Sequence, residues 1–197
     1  MNRRDALRKT GLLAGSAMAA PSLFSILQSC SQTPRLGWTP QFLSENQAQF
    51  ISSFVDTILP KTETPGALDV KTDMFLDMVY AKTYGTEAQA NVKEGIDQLN
   101  NEAKEEFGKY FSELGKEEKS KFLQGQEAKS ETFNRGVWGT SVGEQKPVSF
   151  YRQLKSQALW GYFSSEEVGK NILNYDPIPG EFLGCVPVSE IGKVWSL

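Results

Sequence analysis

Three aspartates, Asp69, Asp73 and Asp77, recur at four-residue steps, so a helix through them places their carboxylates on one face. Aligned carboxylates are the donor type for a hard cation such as calcium. No loop ligands accompany them, so the row reads as a solvated face with Asp69 as the helix N-cap. Glu117-Glu118 and Glu166-Glu167 read as first-turn carboxylates that complement helix dipoles. Nothing in the pattern sets two carboxylates across a cleft, as glycoside hydrolysis requires. The chain has no histidine and two cysteines. That composition excludes a Ser-His-Asp triad, histidine-bound zinc or haem, and imidazole acid–base chemistry. Two cysteines are too few for an iron–sulfur cluster or a four-cysteine zinc site. Gly136, Gly139 and Gly143 do not form a dinucleotide fingerprint, and no phosphate-binding Gly-Lys-Ser/Thr occurs. No catalytic, cofactor-binding or metal-ligating residue emerges.

The cysteines carry a different chemistry. Arg3, Arg4, Arg8 and Lys9 outweigh Asp5, giving the first thirty residues a charge of +3 and the remainder −6. A mildly acidic body argues against nucleic acid, which wants a basic surface. The basic cluster precedes an uncharged, weakly apolar stretch over residues 11–27, then Ser29-Cys30. This order describes a secretory signal peptide. The adjacent Arg3 and Arg4 resemble a twin-arginine export motif, with Ala6 where a bulkier residue is usual. Leu27-Gln28-Ser29-Cys30 resembles a lipobox, with Gln28 atypical, so Cys30 is expected to become the acylated first residue of the mature chain. A retained membrane helix fits less well, because the stretch is short and interrupted by Pro21 and several serines. Cys185 is then unpaired and reads as a buried, inert thiol. Without lipidation, a Cys30–Cys185 disulfide would be the alternative.

The elements behind these residues are helical almost throughout. Residues 1–29 are the signal peptide, 30–40 a Pro/Gly-containing tether and 41–197 one domain. Ser44 and Gln47 form a capping box, and Phe50, Ile51, Phe54, Val55, Ile58 and Leu59 recur at helical steps until Pro60. A second helix from Asp69 would bury Phe75, Met78 and Val79. A third from a Thr86 cap would bury Val92, Ile96, Leu99, Ala103 and Phe107, with Gly115 as its break. Residues 116–128 form a charged helix carrying Phe122 and Leu123, and 130–146 a glycine-rich loop holding Trp138. Residues 148–163 return to helix, with Tyr151, Leu154, Ala158 and Tyr162 on one side, and Ser164 and Glu167 cap a further turn. The tail from Asn174 is Pro/Gly-rich, ordered and irregular. The fold class is all-α.

Two segments remain. In the first, Asp56 to Ala67, Pro65-Gly66 suits the centre of a type II turn. In the second, Trp160-Gly161-Tyr162-Phe163-Ser164 is followed by Asn174-Tyr175-Asp176-Pro177-Ile178-Pro179-Gly180. Aromatics held among prolines make rigid contact surfaces, or else they close the core. The Pro-x-Thr-x-x-Pro-Gly-Ala turn, the Gly-Tyr-Phe-Ser-Ser-Glu stretch and the Asn-Tyr-Asp-Pro-Ile-Pro-Gly tail resemble the gluconate 2-dehydrogenase subunit 3 family.

The resemblance implies a small subunit beside a large FAD-containing dehydrogenase and often a cytochrome c carrying haem. The flavin subunit would oxidise a sugar, sugar acid or polyol. It transfers no catalytic residue and no cofactor to this chain. The expected role is export, anchoring and stabilisation of the flavin partner in the periplasm, with the membrane reached through the lipid anchor. Pro65, Gly66, Tyr175, Pro177, Pro179 and Gly180 are the expected docking residues. A stand-alone envelope lipoprotein that binds carbohydrate or protein is the alternative.

Overall fold

The first helix, α1 (Glu45–Ile58), begins where Ser44 and Gln47 satisfy each other's backbone. Ser44 Oγ accepts from the Gln47 amide at 3.4 Å, and the Gln47 side chain accepts from the Ser44 amide at 3.2 Å. Phe50, Ile51, Phe54 and Val55 fall on one stripe and are fully buried. Pro60 offers no amide to continue the ladder, and α1 stops at Ile58. The computed structural model describes residues 36–133, 136–137, 140–144, 147–178, 180 and 184–196. The expected export residues Arg3 and Arg4, Cys30, Trp138 and Pro179 lie outside them.

Around α1 stand α2 (Thr72–Thr83), α3 (Thr86–Phe107), a 3-10 turn (Phe111–Glu113), α4 (Lys116–Lys129) and α5 (Phe150–Phe163), each in contact with it. The aromatic side chains make the joints. Phe50 lies 5.9 Å from Phe54 and 5.2 Å from Phe111, Phe111 lies 5.6 Å from Phe122, and Phe54 meets Tyr151 edge-on at 6.1 Å. Burying each such ring stabilises the fold by about 1.5–3 kcal/mol. The chain is all-α, with a single short antiparallel pair among the described residues. β1 (Gly136–Val137) meets β2 (Thr140–Ser141) within the glycine-rich loop, with Gly136 opposite Ser141.

Several boundaries differ from those expected. Helix α3 buries Val92, Ile96, Leu99 and Ala103 as anticipated, but its N-cap is Gly85, and Thr86 is already helical. It ends at Gly108, whose φ of 76° suits glycine, before Gly115, which instead opens α4. Glu118 accepts from the Gly115 amide at 2.9 Å and so supports the start of α4. Ser164 does not cap the following turn. Its hydroxyl donates to the Trp160 carbonyl at 2.6 Å and closes α5, and a π-helical turn (Val168–Ile172) follows without a side-chain cap. The C-terminal stretch carries one more turn, α6 (Val188–Ile191).

Candidate functional site

The aspartate row is not a solvated face. Asp73 and Asp77 are 5% and 1% exposed, and their oxygens are occupied by protein donors. Asp77 accepts backbone N–H groups from Gln41 (2.7 Å), Phe42 (3.2 Å) and Leu43 (2.9 Å). Asp73 accepts from Trp38 Nε1 (3.1 Å), Ser52 Oγ (2.6 Å) and the Met74 amide (2.9 Å). Two charged acceptors thus hold the segment ahead of α1 against α2, with each bond charge-assisted. Residues 36–40, read as tether, include Leu36 and Trp38 packed on the core. Among the described residues no group of three or more cysteine, aspartate or glutamate side chains is placed to hold a metal ion.

Asp69 belongs to another device. Helix α2 starts at Thr72 behind Lys71, which takes a left-handed φ of 58° and gives no side-chain cap. Asp69 instead accepts from the Gly66 amide (2.8 Å) and from Lys61 Nζ (3.1 Å). These two donors, the amide first, hold its carboxyl below the usual carboxylate range. Gly66 is not among the glycines with positive φ, so the turn is not type II. Its glycine is required by space: a Cβ would stand 2.6 Å from the Lys61 nitrogen. Pro65 is half-buried, Gly66 is buried, and Tyr162 donates its hydroxyl to the Pro65 carbonyl at 2.7 Å. The structure therefore joins the two Pro- and aromatic-rich segments and makes the Pro65-Gly66 turn a packing joint.

What α2 leaves outside is apolar. The expected buried set of Phe75, Met78 and Val79 is out of phase with the observed one, Thr72, Asp73, Leu76, Asp77 and Tyr80. Apolar residues lie on both sides of this helix, and the carboxylates take the inner side because their partners lie 21 to 36 residues away. Met74 and Met78 are exposed, and half-buried Phe75 packs its ring 5.1 Å from that of exposed Trp160 on α5. Gly161 permits this approach, since a Cβ there would stand 2.9 Å from Phe75. Phe163 is exposed beside Tyr162. Methionine and aromatic side chains on two adjacent helices make an adaptable contact surface. Met78 is thus exposed against the buried place expected of it, and Met74, which the sequence pattern does not single out, lies beside it.

The tail supplies a second apolar surface. Tyr175, Pro177 and Gly180, three of the expected docking residues, are exposed. Asn174 binds the returning chain: its amide donates to Val194 O (2.9 Å), its carbonyl accepts from Ser196 (2.8 Å), and its side chain donates to Ile191 O (2.7 Å) and Lys193 O (2.9 Å). These bonds tie Asn174 to residues 191–196. Cys185 is exposed with a free thiol, against the buried thiol expected.

The polar surface reads as structural support. Glu127 on α4 receives Arg152 and Lys155 of α5, each at 2.7 Å. The Lys155 ammonium first, then the Tyr151 hydroxyl and the Arg152 guanidinium, hold its carboxyl below the ordinary range. Burial, reinforced by Glu127, pushes the Tyr151 phenol up. The hydroxyl of buried Tyr80 donates to Gln157 at 2.6 Å, and Gln157 donates to Tyr84 at 2.8 Å. Burial raises that phenol as well. The concavity between α3 and α4, lined by Glu102, Glu105, Glu106 and Gln126, is open, as is a shallow one along α3 lined by Glu94, Asp97 and Glu102.

No curated protein and no solved structure matches the chain. Among families, gluconate 2-dehydrogenase subunit 3 matches residues 45–180, a span that runs from the first residue of α1 into the exposed tail. It takes in the packing turn, the α2/α5 face and Asn174. The chain belongs to the gluconate 2-dehydrogenase subunit 3 family.

Proposed function

We propose that the chain is the non-catalytic small subunit of a periplasmic, membrane-attached FAD-dependent dehydrogenase that oxidises a sugar, sugar acid or polyol. Membership of the family implies a small subunit of a dehydrogenase complex. One observation carries the rest: a well-packed helical body presents Met74, Met78, Trp160 and Phe163 outward. Single exposed apolar residues are ordinary, but a cluster spanning two helices marks an interaction surface. Its task is then to bind and stabilise the flavin subunit. Arg3 and Arg4 would bring the pair through the twin-arginine route, and Cys30, acylated, would hold it at the membrane. In this scheme a cytochrome c is a third member of the complex.

The test is affinity purification of the full chain from its own host, with mass spectrometry of what accompanies it. A stoichiometric flavin-containing dehydrogenase subunit supports the proposal. Replacing Arg3 and Arg4 with lysines should leave that subunit in the cytoplasm, and Cys30→Ser should release the complex from membranes. A chain recovered alone would favour the stand-alone lipoprotein, and a flavin subunit that reaches the periplasm unaided would end the escort role.

A further inference from the structure

We infer that Lys71 and Lys82, at the two ends of α2, align the partner on the α2/α5 face by meeting carboxylates at the edge of its apolar surface. The inference rests on the reading that a large dehydrogenase subunit is that partner. The face is continuous across the two helices. On α2, Met74, Met78 and Lys82 are exposed at four-residue steps and so form one stripe on the outer side. Phe75 turns toward α5, where its ring lies 5.1 Å from that of Trp160. On α5, Gln153, Ser156, Trp160 and Phe163 are exposed at three- and four-residue steps, and none is charged. Met74, Met78, Trp160 and Phe163 are each about half open, which leaves roughly 400 Å² of apolar surface. That is about half of the ~800 Å² each partner gives to a specific interface, so a polar rim has to supply the rest.

That rim is positive on an acidic body. Residues 31–197 carry a net charge of −6. Yet the acidic residues of α2 and α5 are Asp73 and Asp77, both buried and bonded to other parts of the chain. Arg152 and Lys155 of α5 turn to Glu127 on α4. Lys71 and Lys82 are exposed, and among the described residues neither forms an ion pair. Lys71 borders a shallow concavity with Asp69, Glu166 and Glu167. Of these, Asp69 is paired with Lys61 at 3.1 Å and Glu166 with Lys170 at 2.6 Å, which leaves Glu167 to offset Lys71. Two free ammonium groups flanking the methionines fit an apolar site edged by carboxylates, and they would repel one edged by lysine or arginine. A second copy fits less well, since two-fold pairing of this face sets ammonium groups against one another. An anionic leaflet calls for a cluster of about four or more basic residues. Rim charges of this kind act on the rate of encounter more than on the lifetime of the complex.

The experiment follows the binding kinetics of the full-length chain with the purified large dehydrogenase subunit of its own host, at low and high salt. Lys71→Glu with Lys82→Glu reverses the rim. Lys116→Glu with Lys129→Glu changes the net charge equally, but on α4. All four lysines are exposed, and helical content and unfolding midpoint are measured beside binding. The rim variant should associate about fivefold or more slowly at about 50 mM salt, with the gap closing at about 500 mM. The α4 variant should stay within about twofold of the native chain. Lys82 lies in the last turn of α2, where a positive charge suits the helix dipole. The neutral pair Lys71→Gln with Lys82→Gln is therefore measured too, and should fall between native and reversed. Equal slowing by both reversals reduces the effect to net charge and overturns the aligning role. No slowing, or faster association of the rim variant, overturns it as well. Self-association, or flotation with vesicles of phosphatidylglycerol, that the rim variant alone loses assigns the lysines to a second copy or to lipid and also overturns it. Trp160→Ala separates the two readings: if it weakens binding while the rim variant does not, docking on this face stands and the inference fails. If the native chain does not bind the large subunit, the partner reading falls and this inference falls with it.

Discussion

Asp77 is the most telling single residue, because one carboxylate replaces the water of three consecutive amides. In Asp77→Asn the charge is lost and one oxygen becomes a donor facing backbone N–H groups. Stability should fall by about 1–3 kcal/mol, seen as a lower urea midpoint, and protease should cut sooner between Leu36 and Leu43. An unchanged midpoint would return the aspartate to the solvated face first expected of it. Glu127 makes a weaker, pH-dependent contribution. Its carboxyl is held low in the folded chain, so its stabilisation is present above the unfolded value of 4.5 and is lost as pH falls through the folded one. Unfolding midpoints taken from about pH 5 to pH 3 should drop further for the native chain than for Glu127→Gln. Glu127 is 37% exposed, so solvent screening keeps the difference under about 1 kcal/mol, and added salt should shrink it.

At the scale of elements, glycines mark where the helices and turns approach one another. Gly66→Ala should destabilise by about 1–3 kcal/mol because the methyl meets backbone that cannot move aside. Gly180→Ala, with nothing within 4 Å of its Cβ, should leave thermal unfolding unchanged. Equal midpoints for the two would remove the packing role of the Pro65-Gly66 turn. Gly95→Ala drives a methyl into the Phe150 ring between α3 and α5, and Phe150→Leu should restore part of the loss.

The helices α1, α3 and α5 are legible because each buries one apolar stripe of the right period, as Phe50, Ile51, Phe54 and Val55 illustrate, whereas α4 shows only the Phe122-Leu123 pair. Helix α2 was located but misphased. Hydrophobic pattern ranks Met78 above Asp77, and only the amides of Gln41, Phe42 and Leu43, supplied by folding, make the carboxylate the inner residue. The candidate surface was half legible for a related reason. Prolines and aromatics announce rigid segments, yet whether such a segment faces in, like Pro65-Gly66, or out, like Tyr175, depends on contacts that sequence spacing does not contain.

Taken whole, the molecule is a helical body built for packing, with two apolar surfaces and no enclosed polar cleft among its described residues. The purified subunit is therefore expected to be colourless. Its absorption spectrum should show neither flavin bands nor a Soret band, and either at stoichiometric intensity would reassign it as a cofactor carrier. Trp160→Ala should cut recovery of the flavin subunit at least tenfold with helical content intact, since an aromatic anchor at an interface is worth about 2 kcal/mol or more. Unfolding instead would show the ring to be needed by Phe75 and the core.

The two aspartates on α2 also decide how the body bears a pull. Tension entering at Leu36 meets Trp38 on Asp73 and then three amides on Asp77 before it reaches Ser44. The load passes sideways into α2 and is shared by several bonds at once, in shear, instead of peeling α1 open one turn at a time. Fastened this way, the first helix is spared the fraying that a pull along its own axis would cause.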